Sequence, residues 1–206
     1  MSERQPDSAK PASGPASAPS SEPAPSTDFP DCIDAAPFEL RRLRPLEAGG
    51  DANEIAAVDE MVPEEEIGET FRFFTSIPAG GGRLSGFLAE DAPRCTYAVW
   101  NGDRPIGCTS LYNWDLSART CMIGYTWMAQ AARGTGANVK VKEGLFATLR
   151  EHGFRMVRLR ADIANERSRA AMAKVGAVPA EIEPGPRVYA RDPDREARSQ
   201  YFEREL

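Results

Sequence analysis

The sequence predicts an α+β protein whose sheet is mixed but mainly antiparallel, with helices on both of its faces. Three apolar strand patterns follow one another closely and are joined by short turns, which predicts an antiparallel meander. Their ranges are 95–100, 105–114 and 119–129. Two later segments, 138–150 and 165–175, carry apolar residues at helical spacing and flank a further strand pattern at 154–163.

The chain before this block predicts one strand and two helices. From Phe38 the sequence alternates as a strand, with Phe38, Leu40 and Leu43 pointing inward. The helical patterns lie at 46–60 and 63–77. Pro63 suits the first turn of the second helix, because an N–H group at that position would have no intrahelical partner.

Two regions have weaker patterns. Gly80-Gly81-Gly82 lie in the first region, 79–93, which we interpret as a loop with one short helix. The C-terminal region predicts one or two strands, at 186–192 and 198–205.

Residues 1–30 differ in composition from the remainder of the chain. They contain seven prolines, seven serines and five alanines, and only Met1 and Phe29 are large and apolar. Such a segment buries too little apolar surface to offset the entropy that is lost on ordering. We therefore predict a disordered tail over 1–30 and a single domain over 31–206. A docking segment for a partner is the alternative for the tail.

Composition limits the classes of function. The net charge is −6, whereas proteins that bind nucleic acid or a membrane surface usually carry a basic face. Neither a secretory signal nor an apolar run of ~18 residues is visible, so a cytoplasmic location is expected. His152 is the only histidine and no cysteines lie at metal-ligand spacing, so no metal site is expected. The cysteines are expected to be small buried hydrophobic residues: Cys32, Cys95, Cys108 and Cys121.

The segment Arg133-Gly134-Thr135-Gly136-Ala137-Asn138 joins the third meander strand to a predicted helix. A helix N-terminus has free N–H groups and partial positive charge, and glycines let a phosphate approach the backbone closely. Arg133 adds a charged donor. The lysine of a Walker loop and the third glycine of a Rossmann fingerprint are both absent. The segment therefore predicts a pyrophosphate site, with a simple connecting loop as the alternative.

A second unit follows at 161–177, where a strand pattern leads to Asn165, Ser168 and an alanine- and methionine-rich helix that ends at Gly176. Together the two units resemble the GNAT acetyltransferase superfamily. Arg133 and Gly136 match its Arg/Gln-x-x-Gly-x-Gly/Ala pattern, and Asn165 and Ser168 match its Asn-x-x-Ser/Ala segment. The residues between Ile123 and Ala177 are most similar to the branch that includes the ribosomal-protein N-terminal acetyltransferases.

This resemblance implies a three-layer fold in which the fourth and fifth strands, near 120–128 and 155–163, run parallel and separate in a V. It implies acetyl-CoA as co-substrate, no metal, and direct acetyl transfer to an amine. Backbone groups of Thr126 and Met128 would bind the pantetheine arm, and the Met128 N–H would stabilise the oxyanion. The implied cofactor-binding residues are Thr126, Met128, Arg133, Gly134, Thr135, Gly136, Ala137, Asn138, Asn165 and Ser168.

The resemblance is incomplete at the catalytic positions. Met172 stands where the superfamily usually has a tyrosine acid, and Met122 stands where many relatives have a glutamate. We assign proton donation to the thiolate to Ser168, with bonding to its own helix backbone as the alternative. Lys142 matches a lysine of the branch. Three roles stay open for it: pairing with a buried carboxylate, contact with the cofactor, or extension of its amine to solvent.

The acceptor amine is not identified by the sequence, so a protein N-terminus, a small amine and an aminoglycoside all stay open. Trp114 is a candidate for acceptor contact, and Trp127 is expected in the core. Asp115, Tyr112 and Tyr125 lie near the expected acceptor wall and are interpreted as structural. The expected partners are acetyl-CoA and an amine, with no nucleic acid and no membrane; a homodimer is left open. A non-catalytic CoA-binding sensor or assembly module is the alternative function.

Overall fold

The computed structural model describes residues 24–75, 88, 93–185 and 187–206. Its strands are β1 Cys32–Ala35, β2 Phe38–Leu43, β3 Arg94–Asn101, β4 Arg104–Asp115, β5 Thr120–Met128, β6 Met156–Asp162, β7 Val178–Ile182, β8 Arg187–Tyr189, β9 Asp192–Ala197 and β10 Ser199–Glu205. Eight strands form one sheet in the order β1-β2-β3-β4-β5-β6-β10-β7, and β8 pairs with β9 separately. In the large sheet every neighbouring pair is antiparallel except β5 and β6, which run parallel. The mixed, mainly antiparallel sheet is therefore confirmed.

Helices cover both faces of this sheet, as predicted. Those that lie wholly within the described ranges are α1 Ala52–Asp59, α2 Glu64–Thr70, α3 Ala137–Glu151 and α4 Glu166–Lys174. Val141, Leu145 and Leu149 form one buried stripe of α3 and pack on one face of the sheet. Val58 of α1 and Ile67 of α2 pack on the opposite face, around Trp127.

The predicted V-shaped gap lies between β5 and β6. Their parallel pairing begins at Thr120↔Met156 and ends at Ile123↔Leu159, although β5 continues for five more residues to Met128. These are the fourth and fifth strands when counting starts at Phe38, as the sequence analysis did. The added strand β1 was missed because four residues give too short a run for its alternation to stand out.

Several predicted boundaries differ from the structure. The helix expected at 46–60 is split: a 3-10 turn at Leu46–Ala48 ends at Gly49, whose φ is 82°, and α1 starts after Asp51. The Asp51 carboxylate caps α1 by accepting from the N–H groups of Asn53 and Glu54. The second helix ends at Thr70 instead of 77, and β7 and β9 were not predicted. The predicted loop around Gly80-Gly81-Gly82 lies outside the described residues.

Residues 26–30, which the sequence analysis placed in the tail, contact the domain. Phe29 is 2% exposed and belongs to the main core. Its carbonyl accepts from Arg42, and the Pro30 carbonyl accepts from the Tyr97 hydroxyl at 2.8 Å. One aromatic side chain therefore anchors a segment whose average composition is polar. The disorder predicted for residues 1–23 lies outside the described residues.

All four cysteines are free thiols. Cys95, Cys108 and Cys121 are buried as predicted, but Cys32 is exposed because it alternates with the inward-facing Ile33 on the edge strand β1. Within the described ranges, no helix has both the length and the apolar character needed to cross a bilayer.

Candidate active site

A β-bulge in β5 shapes the centre of the sheet. Trp127 pairs with Cys108 and Gly124 pairs with Ser110, so Tyr125 and Thr126 together oppose the single residue Thr109. Tyr125 adopts a φ of 48°, which is rare for a residue with a bulky side chain. Such strained backbone is concentrated at functional sites. The bulge lies just beyond the point where β5 and β6 separate.

A cleft of about 460 Å³ occupies this gap. It is lined by β5 from Ile123 to Met128, by the end of β6, by the glycine turn before α3, and by one side of α4. The described lining includes five cationic side chains and one carboxylate: Arg133, Lys142, Arg160, Arg167 and Lys174, and Asp162. In a chain of net charge −6, this local excess of positive charge favours an anionic ligand.

The glycine turn has open space beside its backbone. Gly134 and Gly136 have φ values of 79° and 89°, which glycine adopts without steric penalty. A Cβ atom added at either position would meet no atom within 4 Å, so both glycines face open space. In the first turn of α3, Val139 N and Lys140 N donate to the Gly136 carbonyl at 3.0 and 3.3 Å, so the glycine itself starts the helix. The Asn138 Oδ1 atom is buried and finds no hydrogen-bond donor in the described part of the chain.

The other residues of this turn have roles within the protein. The Arg133 Nε donates to the Met128 carbonyl at 2.9 Å, and its Nη2 donates to the Thr70 hydroxyl at 3.0 Å. Arg133 therefore ties the turn to β5 and α2 besides lining the cleft. The Thr135 hydroxyl donates to Ala132 O at 2.8 Å and accepts from Ala137 N at 3.4 Å, and the Ala137 side chain is buried. Thr135 and Ala137 form the turn but are not among the described lining of the cleft.

The orientation of Met128 follows from its neighbour. Ala129 N donates to Ile106 O at 2.9 Å on the β4 side. Because successive residues of an extended strand direct their backbone groups to opposite sides, the Met128 N–H and C=O point away from β4, into the gap. The bond from Arg133 to the Met128 carbonyl fixes this orientation.

Asn165 and Ser168 meet at the start of α4. The Asn165 Oδ1 accepts from Ser168 N at 3.0 Å, so this asparagine is the N-cap of the helix. Both side chains line the cleft, together with Met172 one turn further along α4. The structure thus brings the second sequence motif to the same cleft as the glycine turn.

Lys142 neither extends to solvent nor pairs with a described carboxylate, and it lines the cleft. It is 2% exposed, and its Nζ donates to the hydroxyls of Thr126 at 2.8 Å and Thr109 at 3.3 Å. No carboxylate pairs with it among the described residues. Burial lowers the pKa of Lys142 to about 7. This amine therefore joins α3 to both sides of the bulge.

We expect Lys142 to make the free energy of unfolding increase with pH. Its pKa is about 7 in the folded protein and 10.5 without burial, so the unfolded chain binds more protons between these values. Relative to Lys142→Met, the free energy of unfolding of the parent should rise by about 2 kcal/mol between pH 7 and pH 9. Chemical denaturation at both pH values measures this difference, and Lys140→Met, at an exposed lysine nearby, is the control. A difference independent of pH would contradict the prediction.

Aromatic side chains close the cleft on the side of α1 and α2. Phe73, Phe74 and Tyr125 line it, and Tyr112 packs edge-on against Tyr125 with ring centroids 5.1 Å apart. Gly124 makes room for Tyr112, because a Cβ there would lie 2.8 Å from its hydroxyl.

Three other sequence candidates lie elsewhere. Trp114, expected at the acceptor, packs instead against Phe29 with ring centroids 5.9 Å apart, whereas Trp127 is in the core as predicted. Asp115 accepts hydrogen bonds within its own turn. His152 is the C-cap of α3.

Two residues of this cleft were missed by the sequence analysis. Arg160 and Asp162 lie on the face of β6 opposite Val157, Leu159 and Ala161, which are in the core. The alternation of charged and apolar residues along β6 was the available signal, since it identifies a polar face in the middle of a sheet. Arg160 contacts Glu183 at 3.4 Å.

The comparisons with known proteins agree with this geometry. Residues 41–178 match the family of the acetyltransferase (GNAT) domain. Among solved structures, a probable GNAT-family acetyltransferase from Chromobacterium violaceum has a TM-score of 0.73 at 18% identity, covering 96% of this chain and 97% of its own. RimL, a ribosomal L7/L12 α-N-protein acetyltransferase, has a TM-score of 0.67 at 14% identity. The match covers 85% of this chain and 94% of RimL. The microcin C7 self-immunity acetyltransferase MccE, in complex with acetyl-CoA and AMP, has a TM-score of 0.66 at 12% identity. The match covers 82% of this chain and 92% of the MccE chain.

No curated protein matches this chain. The structural similarities are at low identity and show the fold, whereas the family match covers more than half of the sequence. The match includes the glycine turn, the bulged strand and the Asn165–Ser168 helix start that form the cleft. The chain belongs to the GNAT family of acetyltransferases.

Proposed function

We propose that the protein is an acetyl-CoA-dependent N-acetyltransferase that transfers acetyl directly from the thioester to an amine. The observation that carries this proposal is the cation-lined gap between β5 and β6, which leads from a glycine turn at the start of α3 to a strained bulge. The turn suits a pyrophosphate, and the part of β5 that extends beyond its pairing with β6 suits the amides of a pantetheine arm.

The residues divide into those that bind and those that act. Gly134, Gly136 and the first turn of α3 would hold the phosphates, with Asn138 beside them. The backbone of Thr126 and Met128 would pair with the arm. The Met128 N–H, held in the gap by the Arg133 bond to the same residue, would stabilise the oxyanion that forms when the amine attacks.

The acceptor is an amine that must be neutral to attack. An α-amino group, with a pKa of about 7.7–8.0, needs less help than a lysine with a pKa of about 10.4. The ribosomal-protein N-terminal acetyltransferase among the structural neighbours makes a protein N-terminus one acceptor to test, and small amines are the other.

Thiol release from acetyl-CoA in the presence of amines tests the proposed function. Three probes represent the acceptor classes: a short peptide with a free N-terminus, spermidine and kanamycin. We expect amine-dependent release of CoA, and an amine whose mass has increased by that of one acetyl group in mass spectrometry. Binding of acetyl-CoA without transfer to any probe would favour the sensor or assembly role instead.

We expect Ser168→Ala to reduce turnover roughly tenfold or more while acetyl-CoA affinity stays nearly unchanged. The substitution keeps the Ser168 N–H that bonds Asn165, so the helix cap survives and only the hydroxyl in the cleft is lost. Ser168→Thr is the matched control, since it retains a hydroxyl and should retain most of the turnover. Unchanged turnover of a folded Ala variant at saturating acetyl-CoA would remove Ser168 from the mechanism.

A further inference from the structure

Asp162, at the end of β6, is a buried carboxylate in the wall of the cleft. The side chain is 6% exposed and lines the cleft. Its Oδ1 accepts from Ala164 N at 2.8 Å and so stabilises the turn before α4. Its Oδ2 is buried, and no described group donates to it at good hydrogen-bond geometry, although the Tyr189 hydroxyl lies close enough for a hydrogen bond with Asp162 to raise the pKa of Tyr189. A buried carboxylate oxygen that is so weakly satisfied is costly, so its retention suggests that a ligand group also reaches it.

The charge of Asp162 is also exceptional in its surroundings. It is the one carboxylate among the described lining residues, which also include five basic side chains. The nearby carboxylate of Glu183 is already engaged, by Arg187 at 2.7 Å and Arg160 at 3.4 Å. The cations suit the phosphates of the co-substrate, which leaves Asp162 as the described group suited to a positively charged nitrogen.

The position of Asp162 separates it from the phosphate end of the cleft. Strand alternation places it on the face of β6 opposite Leu159 and Ala161, which pack with α3. This is the face that carries the aromatic wall of Phe73, Phe74 and Tyr125. The glycine turn, by contrast, leads into α3 on the other face.

The groups that surround Asp162 are known from each neighbouring element. Arg160 lies two residues before it on β6, and Ser199 pairs with it on β10. From β8, the pKa of Tyr189 is raised by burial and by the adjacent Asp162. The alternative role for Asp162 is therefore structural, because its carboxylate beside the Tyr189 hydroxyl would also orient the Tyr189 ring.

We propose that Asp162 faces the acceptor nitrogen and accepts its proton, an inference that rests on the proposed function. When a neutral amine attacks the thioester carbonyl, the C–N bond forms and the nitrogen becomes positively charged. The Asp162 carboxylate stabilises that charge and takes one N–H proton. The C–S bond then breaks, and the departing thiolate takes a proton from Ser168 or water. Acceptors are thus amines small or extended enough to pass the aromatic wall.

Asp162→Asn and Tyr189→Phe form a matched pair that tests this role. The amide of the Asp162→Asn variant would keep an oxygen for Ala164 N, so the turn should survive. The amine used as the probe is whichever of the three the parent acetylates fastest. We expect Asp162→Asn to lower kcat/KM for that amine at least tenfold at pH 7, with acetyl-CoA affinity nearly unchanged. The loss should shrink towards pH 9, where hydroxide replaces the missing base. Tyr189→Phe should keep most of the activity, and Asp162→Glu should recover part of it.

Each result has a defined meaning. If Asp162→Asn keeps the parental kcat/KM, or if Tyr189→Phe loses as much as Asp162→Asn, the assignment of Asp162 is wrong while the proposed function stands. If Asp162→Asn also loses acetyl-CoA affinity or does not fold, and Asp162→Glu recovers no transfer, the residue is structural and the assignment is equally wrong. If the parent acetylates none of the three amines, the proposed function fails, and the role of Asp162 fails with it.

Discussion

Gly136→Trp is expected to weaken acetyl-CoA binding by roughly a hundredfold or more while leaving the domain folded. A side chain at this position would project into open space beside the first turn of α3, because a Cβ there meets no atom within 4 Å. That space is where the proposed pyrophosphate would approach the backbone of the helix start. An indole ring would fill it and would also exclude the water and counter-ions that the turn attracts.

The substitution also strains the backbone, since the φ of Gly136 is 89°. Gly102→Trp is the matched control: its φ is 62°, its Cβ would also meet open space, and it lies in the turn between β3 and β4, away from the cleft. Both variants should lose similar stability, but only Gly136→Trp should lose the co-substrate. Calorimetric titration measures the affinity, and parental affinity in the folded Gly136 variant would show that the pyrophosphate is misplaced.

Removal of residues 1–30 is expected to lower the free energy of unfolding by about 3–5 kcal/mol, or the melting temperature by roughly ten degrees. Most of this loss comes from Phe29, whose ring is enclosed by Trp114, His152 and Phe154 at centroid distances of 5.9, 5.4 and 5.9 Å. Hydrogen bonds from the same segment also disappear, including Ser26 N to His152 O at 3.0 Å.

Two further variants separate the ring from the tail. Phe29→Ala should reproduce most of the loss in the full-length chain, because large-to-small core substitutions leave a cavity. Removal of residues 1–23 alone should leave the melting temperature nearly unchanged, since Met1 is the only large apolar residue that it deletes. Thermal unfolding of the three variants side by side checks this, and equal melting temperatures for the two truncations would contradict it.

The sequence by itself determined the elements whose cause is local. Gly134 and Gly136 require left-handed backbone, and the Asn165 cap requires only residues within one helical turn. Helix α3 is visible because its buried residues recur at helical spacing, and the meander is visible because its turns are short. These features predicted the elements themselves and a pyrophosphate site before α3, whereas the parallel, splayed strand pair was implied by the resemblance to the GNAT superfamily.

Tertiary structure alone decided which side chains meet. Trp114 faces Phe29 and not the cleft, Lys142 meets two threonines on two strands, and Asp162 lies buried in the cleft wall. Each of these outcomes depends on partners far apart in the chain. For Trp114 and Asp162, which lie on strands, a shift of one residue in register would turn the side chain to the opposite face. Burial then sets the chemistry, since the same lysine in water would keep its ordinary pKa, whereas between α3 and the bulge its pKa falls to about 7.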